Sequence, residues 1–299
     1  MKTGPNLISV LSRACLGLAS ALLCIGAFAA NPADWWVDIA NDRVDNVKTM
    51  LAQGADPNEL SPKGQPAIMQ AIRDGAWRTY DVLAANRKTT LNAININRET
   101  PLMYLAVLGQ TRRAQDLIRR GAMVNRLGWT PLQYAASTGK VETAKMLIAN
   151  KAIIDAPAPD GTTALMMAAH SGNEDMVQLL LDHGAEITTQ NLQKLDAADW
   201  ARNNKHDALA AKLDAFTSKT LKQRAALREK AKTLATPAAV SSDPSQQEAG
   251  GRDVKTINLD EIDTGAKPSD SKAPAKPAEK PKTNSPYFDL ERFNEKTTP

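Results

Sequence analysis

The chain has 299 residues, of which 42% are hydrophobic, 23% charged and only 4% aromatic. So few rings argue against a deep layered core and for a thin or elongated architecture in one or two domains. The formal net charge is +4, and Lys2 and Arg13 account for two units of it, so the concentrated basic face that nucleic-acid binding needs is not expected.

Residues 1–30 read as an export address. A weakly positive start precedes an apolar run over 14–28, and Ala27-Phe28-Ala29 has the small residues at the spacing that signal peptidase accepts. Cleavage is expected after Ala29, sending the rest to the periplasm or beyond. An uncleaved anchor is the alternative, although the run is shorter than the roughly 18 apolar residues of a spanning helix. Both cysteines, Cys15 and Cys24, lie here, and neither follows a lipoprotein box. Beyond them the sequence has no thiol for a disulfide, a nucleophile or a metal site.

Next comes an internal repeat. PAIMQAIRDG (66–75), TPLMYLAVLG (100–109), TPLQYAASTG (130–139) and TALMMAAHSG (163–172) align without gaps, each ending in glycine. Seven positions before the glycine stand Ile68, Leu102, Leu132 and Leu165, spaced by 34, 30 and 33 residues. One period of 33 backwards falls on Trp35 and one forwards on Ala198, both in weaker copies. An amphipathic stretch such as VETAKMLIANKA (141–152) follows each glycine and closes on a pair such as Gly54-Ala55, Gly121-Ala122 or Gly184-Ala185. Thr-Pro opens a helix, because the hydroxyl satisfies an orphan amide and proline sits where no donor is needed. Paired alanines, as at Ala135-Ala136 and Ala168-Ala169, let two helices approach closely.

This pattern resembles the ankyrin repeat, whose period is about 33 residues, over about 35–213, or 60% of the chain. The resemblance implies an all-α solenoid over 30–216: about six helix-turn-helix units joined by hairpin-like fingers, with degenerate caps at both ends. Asp42 and Lys205 replace the glycine in the end copies, and Trp35 and Trp36 are expected to cover the N-terminal opening. Met69, Met103, Gln133 and Met166 stand where the family usually places histidine. Arg87 replaces the glycine that ends the second copy's outer helix, so the finger over 85–99 is expected to be irregular.

The segment TSKTLKQRAALREKAKTL (217–234) has six bases against the single acid Glu229. It reads as a basic helical extension, either a solvated continuation of the stack or a weak contact for anionic membrane. Residues 235–299, rich in Pro, Lys and Ala, are expected to be disordered. Within them Tyr287, Phe288, Leu290 and Phe293 crowd into 285–293. That island is either a peptide that folds on binding or an unused apolar patch.

Chemistry is sparse. No G-x-S-x-G elbow, H-E-x-x-H helix or phosphate-binding glycine loop occurs. The three histidines, His170, His183 and His206, lack metal-ligand spacing. No enzyme, cofactor or metal is expected. In proteins of this kind, partners dock on the finger tips and the concave inner-helix face. The resemblance therefore assigns that surface to Arg73, Asp74, Val107, Leu108, Trp129, Ser137, Thr138, Thr162, His170 and Ser171. Trp129 lies in the shortest finger, GAMVNRLGWTPL (121–132). It either presents an exposed aromatic anchor beside Val107 and Leu108 or folds down to plug the gap. Trp77, Trp200, Tyr104 and Tyr134 read as packing residues. The expectation is a monomeric, non-enzymatic, exported scaffold that binds another protein. The alternatives are a membrane-surface adaptor held by 217–234, and an inhibitor or immunity factor for a secreted enzyme or toxin.

Overall fold

The computed structural model describes residues 31–234. Among them, twelve helices follow one another in six pairs. The pairs are α1 (Trp35–Ala40) with α2 (Val44–Ala52), α3 (Ala67–Asp74) with α4 (Trp77–Ala85), and α5 (Pro101–Val107) with α6 (Thr111–Arg119). They continue as α7 (Pro131–Ser137) with α8 (Val141–Ala149), α9 (Ala164–Ser171) with α10 (Glu174–Asp182), and α11 (Ala197–Asn203) with α12 (Asp207–Leu234). The odd-numbered inner helices pack each on the next, and fingers connect the pairs. The described residues form no strand, only an isolated bridge between Leu60 and Pro66. The architecture is an all-α solenoid.

Local chemistry sets the helix ends. Thr100, Thr130 and Thr163 adopt extended backbone, and each hydroxyl accepts a hydrogen bond from the amide three residues on, at 3.4 Å. Asp196 caps α11 in the same way at 3.0 Å. Gln133 does the work expected of histidine: Oε1 accepts from the Thr130 amide at 2.8 Å, while Nε2 donates to the Ala156 and Thr162 carbonyls at 2.8 and 2.9 Å. The methionines at the other copies cannot reach the next finger with such donors.

Glycine ends the inner helices in the left-handed region, at Gly75 (φ 71°) and Gly172 (φ 69°), for example. In the end pairs Asp42 (φ 53°) and Lys205 (φ 64°) take the same conformation without glycine. Asp42 has a compensating contact. Its Oδ1 accepts from the Thr79 amide at 2.7 Å and its Oδ2 from the Arg78 amide at 3.3 Å, so it caps the start of α4 in the neighbouring unit.

Ala135, Ala136, Ala168 and Ala169 are fully buried where the inner helices meet, and Leu147 and Leu180 bury the outer helices against them. Trp35 closes the N-terminal end completely buried, with Trp36 half-buried and edge-on to it at 6.5 Å. At the other end Leu209, Ala210 and Leu213 bury the start of α12. The helix then leaves the stack, and its side chains from Leu221 to Lys232 are exposed. Arg224 ties this extension to the stack: it donates to Glu186 at 2.6 Å and to the Thr188 hydroxyl at 3.3 Å.

Neighbouring fingers are tied by a side-chain ladder. Asn58 accepts from the Thr90 amide and donates to the Lys88 carbonyl, both at 2.7 Å. Asn92 repeats this with the Met123 amide and the Gly121 carbonyl, and Asn125 with the Ile153 amide and the Lys151 carbonyl. The next rung is Asp155, which accepts from the Glu186 amide at 3.0 Å but, as a carboxylate, has no donor to return.

Candidate docking surfaces

The residues assigned to the concave face fall on the inner helices and the turns that end them. Most are less available than that surface requires. Val107, Ser137 and Thr162 are buried. Arg73 and Asp74 are largely covered, with Gln70 bonded to both. Thr138 donates to the Val107 carbonyl at 3.0 Å, and Ser171 to the Ala168 carbonyl at 2.8 Å. His170 packs at a tilt of 57° against Trp200, with ring centroids 5.6 Å apart. Leu108 alone of the assigned apolar residues reaches solvent, at 37% exposure.

Trp129 requires a correction. It is only 8% exposed and packs edge-on against Tyr134, with centroids 6.5 Å apart, so it is not an exposed anchor. The reason is its register, not the length of its finger: the same position, three before the inward leucine or isoleucine of each repeat, is buried in the longer fingers too, at Gln65, Glu99 and Thr162.

Beneath it lies a buried polar knot. Glu99, buried at the base of the preceding finger, accepts from the Tyr134 hydroxyl at 2.7 Å, Asn95 Nδ2 at 2.7 Å and the Tyr104 hydroxyl at 3.3 Å. Asn95 Oδ1 in turn accepts from the Asn97 and Glu99 amides. Burial first, and then the Glu99 charge, push the Tyr104 phenol up to about 12, so it remains a donor at neutral pH. Both carboxylate oxygens are engaged by donors, which suits a tie between the third and fourth units.

The most exposed large apolar side chains sit instead on the finger tips. Ile96 is 75% exposed, Leu127 95% and Leu192 73%, with Pro62 and Pro159 exposed at the corresponding turns of the other fingers. Adjacent tips touch in order. Ile96 covers Gly64 closely, the Arg126 guanidinium donates to the Arg98 carbonyl, and Gly128 lies beside Pro159. The Leu192 amide then donates to the Asp160 carbonyl at 2.9 Å. The result is a continuous ridge of aliphatic groups interleaved with the exposed bases Lys63, Arg98 and Lys194. Sequence reasoning passed over Leu127 for the tryptophan two positions later. The usable signal was an aliphatic residue at each polar turn.

The histidines serve packing and capping. His183 Nδ1 lies 2.8 Å from the Leu179 carbonyl, and burial, followed by the nearby His206, holds the His170 imidazole below its ordinary value. Among the described residues, no group of three or more His, Cys, Asp or Glu is arranged to hold a metal ion. The export segment with its expected cut after Ala29, and Tyr287, Phe288, Leu290 and Phe293, lie outside the described residues.

A family model of ankyrin repeats, in three copies, matches residues 113–191. An E3 ubiquitin-protein ligase of Arabidopsis thaliana is 34% identical over 145 residues, covering 48% of this chain and 27% of the relative. The rat (Rattus norvegicus) ankyrin repeat and SAM domain-containing protein 6 is 31% identical over 130 residues, 42% of this chain and 15% of the relative. An ankyrin repeat-containing protein of Treponema pallidum (strain Nichols) is 33% identical over 115 residues, 37% of this chain and 39% of the relative. The chain thus spans well under half the length of each. Ankyrin repeats generally mediate protein–protein interaction and are typically non-enzymatic. Stacked helix pairs, threonine caps and these matches together show that the chain carries ankyrin repeats built into a solenoid.

Proposed function

We propose that this chain is a non-enzymatic scaffold that binds another protein along its finger-tip ridge, outside the cytoplasm. The carrying observation is the row of Ile96, Leu127 and Leu192, exposed at 75, 95 and 73% on consecutive or nearby tips. Exposed apolar groups gathered along one edge mark interaction surfaces, because leaving them in water costs roughly 25 cal/mol per Å². The ridge is rigid, since the tips are joined to one another, so little ordering entropy opposes docking. The extracytoplasmic setting is supported by the composition of 1–30.

A photocrosslinking residue at position 127 in intact cells tests this. The expected result is one discrete adduct, lost when Ile96→Asp and Leu192→Asp are added and absent when the crosslinker stands at position 145 on α8. Adducts of equal yield from both positions, or none from 127, would discard the ridge as a docking surface. Fractionation of the same cells reads the compartment separately.

One observation favours a second reading, a membrane-surface adaptor. Lys219, Lys222 and Arg228 are exposed on the part of α12 that leaves the stack, and each such base near an anionic bilayer contributes about 1 kcal/mol. Changing all three to glutamine should then abolish salt-sensitive sedimentation with phosphatidylglycerol vesicles. Unchanged sedimentation would exclude α12 as the contact.

A further inference from the structure

Outer helices α4 and α6 meet through long side chains, with Arg113 of α6 reaching Asp81 and the Trp77 ring of α4. The space between α4 and α6 is a cavity of about 350 Å³. A second cavity of about 420 Å³ opens beside it at the base of the following finger, and the two share Ala84 and Arg120. The sequence accounts for both. α4 ends at Asn86 in extended backbone (φ −71°, ψ 126°), where other outer helices turn through Gly54, Gly121 or Gly184. The chain therefore swings outward through Arg87, and Ala84 and Ala85 are too small to fill the space left behind.

The charges around these cavities do not cancel. Asp81 is held by Arg113 through Nε at 3.2 Å and Nη2 at 3.3 Å, with the Arg113 guanidinium 4.6 Å from the centroid of the Trp77 ring. Asp116 is bonded by Arg119. Both acids of the lining are thus engaged, while Arg87, Arg112 and Arg120 have no carboxylate partner among the described residues. Tyr80 lines the first cavity, and burial, then the charge of Asp81, raise its phenol far above neutral pH, so its hydroxyl is a donor. Guanidinium forks match carboxylates in plane and in spacing.

We propose that this double cleft binds an acidic peptide segment of a partner protein, one side-chain carboxylate to each cavity with Arg120 between them. Two adjoining hollows suit an extended chain with acids a few residues apart; a lone small anion would occupy only one. Leu91 and Leu117 provide apolar walls for the intervening methylene groups. The cleft lies on the outer helices, away from the finger tips, so it is independent of the ridge and of its partner.

Fluorescence anisotropy with the full chain tests the proposal, using a fluorescein-labelled peptide GDEEDG and its amide counterpart GNQQNG. The acidic peptide should bind, and Arg112→Gln and Arg120→Gln should each weaken it by at least about tenfold, the value of a lost charge-assisted hydrogen bond. The amide peptide should not bind, and Lys145→Gln, at an exposed base on α8, should change nothing. Equal melting temperatures verify that the variants fold. Four outcomes would overturn the proposal: no binding by the unaltered chain, binding indifferent to Arg120→Gln, the same loss with Lys145→Gln, or displacement by inorganic phosphate as effectively as by unlabelled peptide.

Discussion

Trp129 shows how repeat register decides one residue's role. The position just before the helix-opening turn is buried in the longer fingers as well, at Gln65, Glu99 and Thr162, and here the indole occupies it, edge-on to Tyr134. Trp129→Ala should therefore destabilise the protein by about 3–5 kcal/mol in urea unfolding. A loss below about 1 kcal/mol would mean that the ring contributes little packing. His170 makes a pH-dependent contribution with a defined sign. Its folded pKa lies below the ordinary 6.5, chiefly through burial, so the unfolded chain binds the proton more tightly. Stability should accordingly fall as pH drops below about 6.5 and level off once the folded-state group is also protonated. His170→Gln should flatten that part of a pH series of urea midpoints.

At the scale of elements, the finger ladder is three asparagines and one aspartate. Asn58, Asn92 and Asn125 each give and receive a hydrogen bond, while Asp155 only receives one, and burial raises its carboxyl pKa. Asp155→Asn would restore the missing donor, aimed at the Gly184 carbonyl by analogy with the other rungs. It should stabilise the chain by about 0.5–1.5 kcal/mol in urea unfolding. The helix pairs were legible in the sequence because their signals are local: threonine then proline, a glycine stop and a leucine stripe, all within one unit. The ladder was not, because each rung joins residues about one period apart and its amino acid is common in any turn. Asp42 escaped for the same reason. Its place in the alignment marks a missing glycine, while its function is to cap a helix in the next unit. The exposed ridge was hidden by weighing single residues for chemical distinction, since isoleucine, leucine and proline at turns look ordinary one at a time.

The whole molecule behaves as a one-dimensional stack, in which each unit is stabilised by its neighbours. Ending the chain after Phe216 should leave the melting temperature within about 2 °C, because the side chains from Leu221 to Lys232 of α12 are exposed. Removing everything from Asp196 onward is a different loss. It strips the buried Ala198, Trp200, Leu209 and Leu213 from the face of the fifth unit. A fall of roughly 5–15 °C is expected by differential scanning calorimetry, with broader unfolding as the new terminal unit frays.

The protruding part of α12, residues 217–234, meets the described stack through Arg224, which bonds Glu186 and Thr188. A lone helix of that length is only marginally stable in water. While wound, its 18 residues span about 27 Å; drawn out, they reach about 60 Å. Modest tension on whatever follows Leu234 would unspool it turn by turn long before the stack yields. The protein thus has a built-in stretchable coupling, whose slack more than doubles its reach without loosening the rigid body behind it.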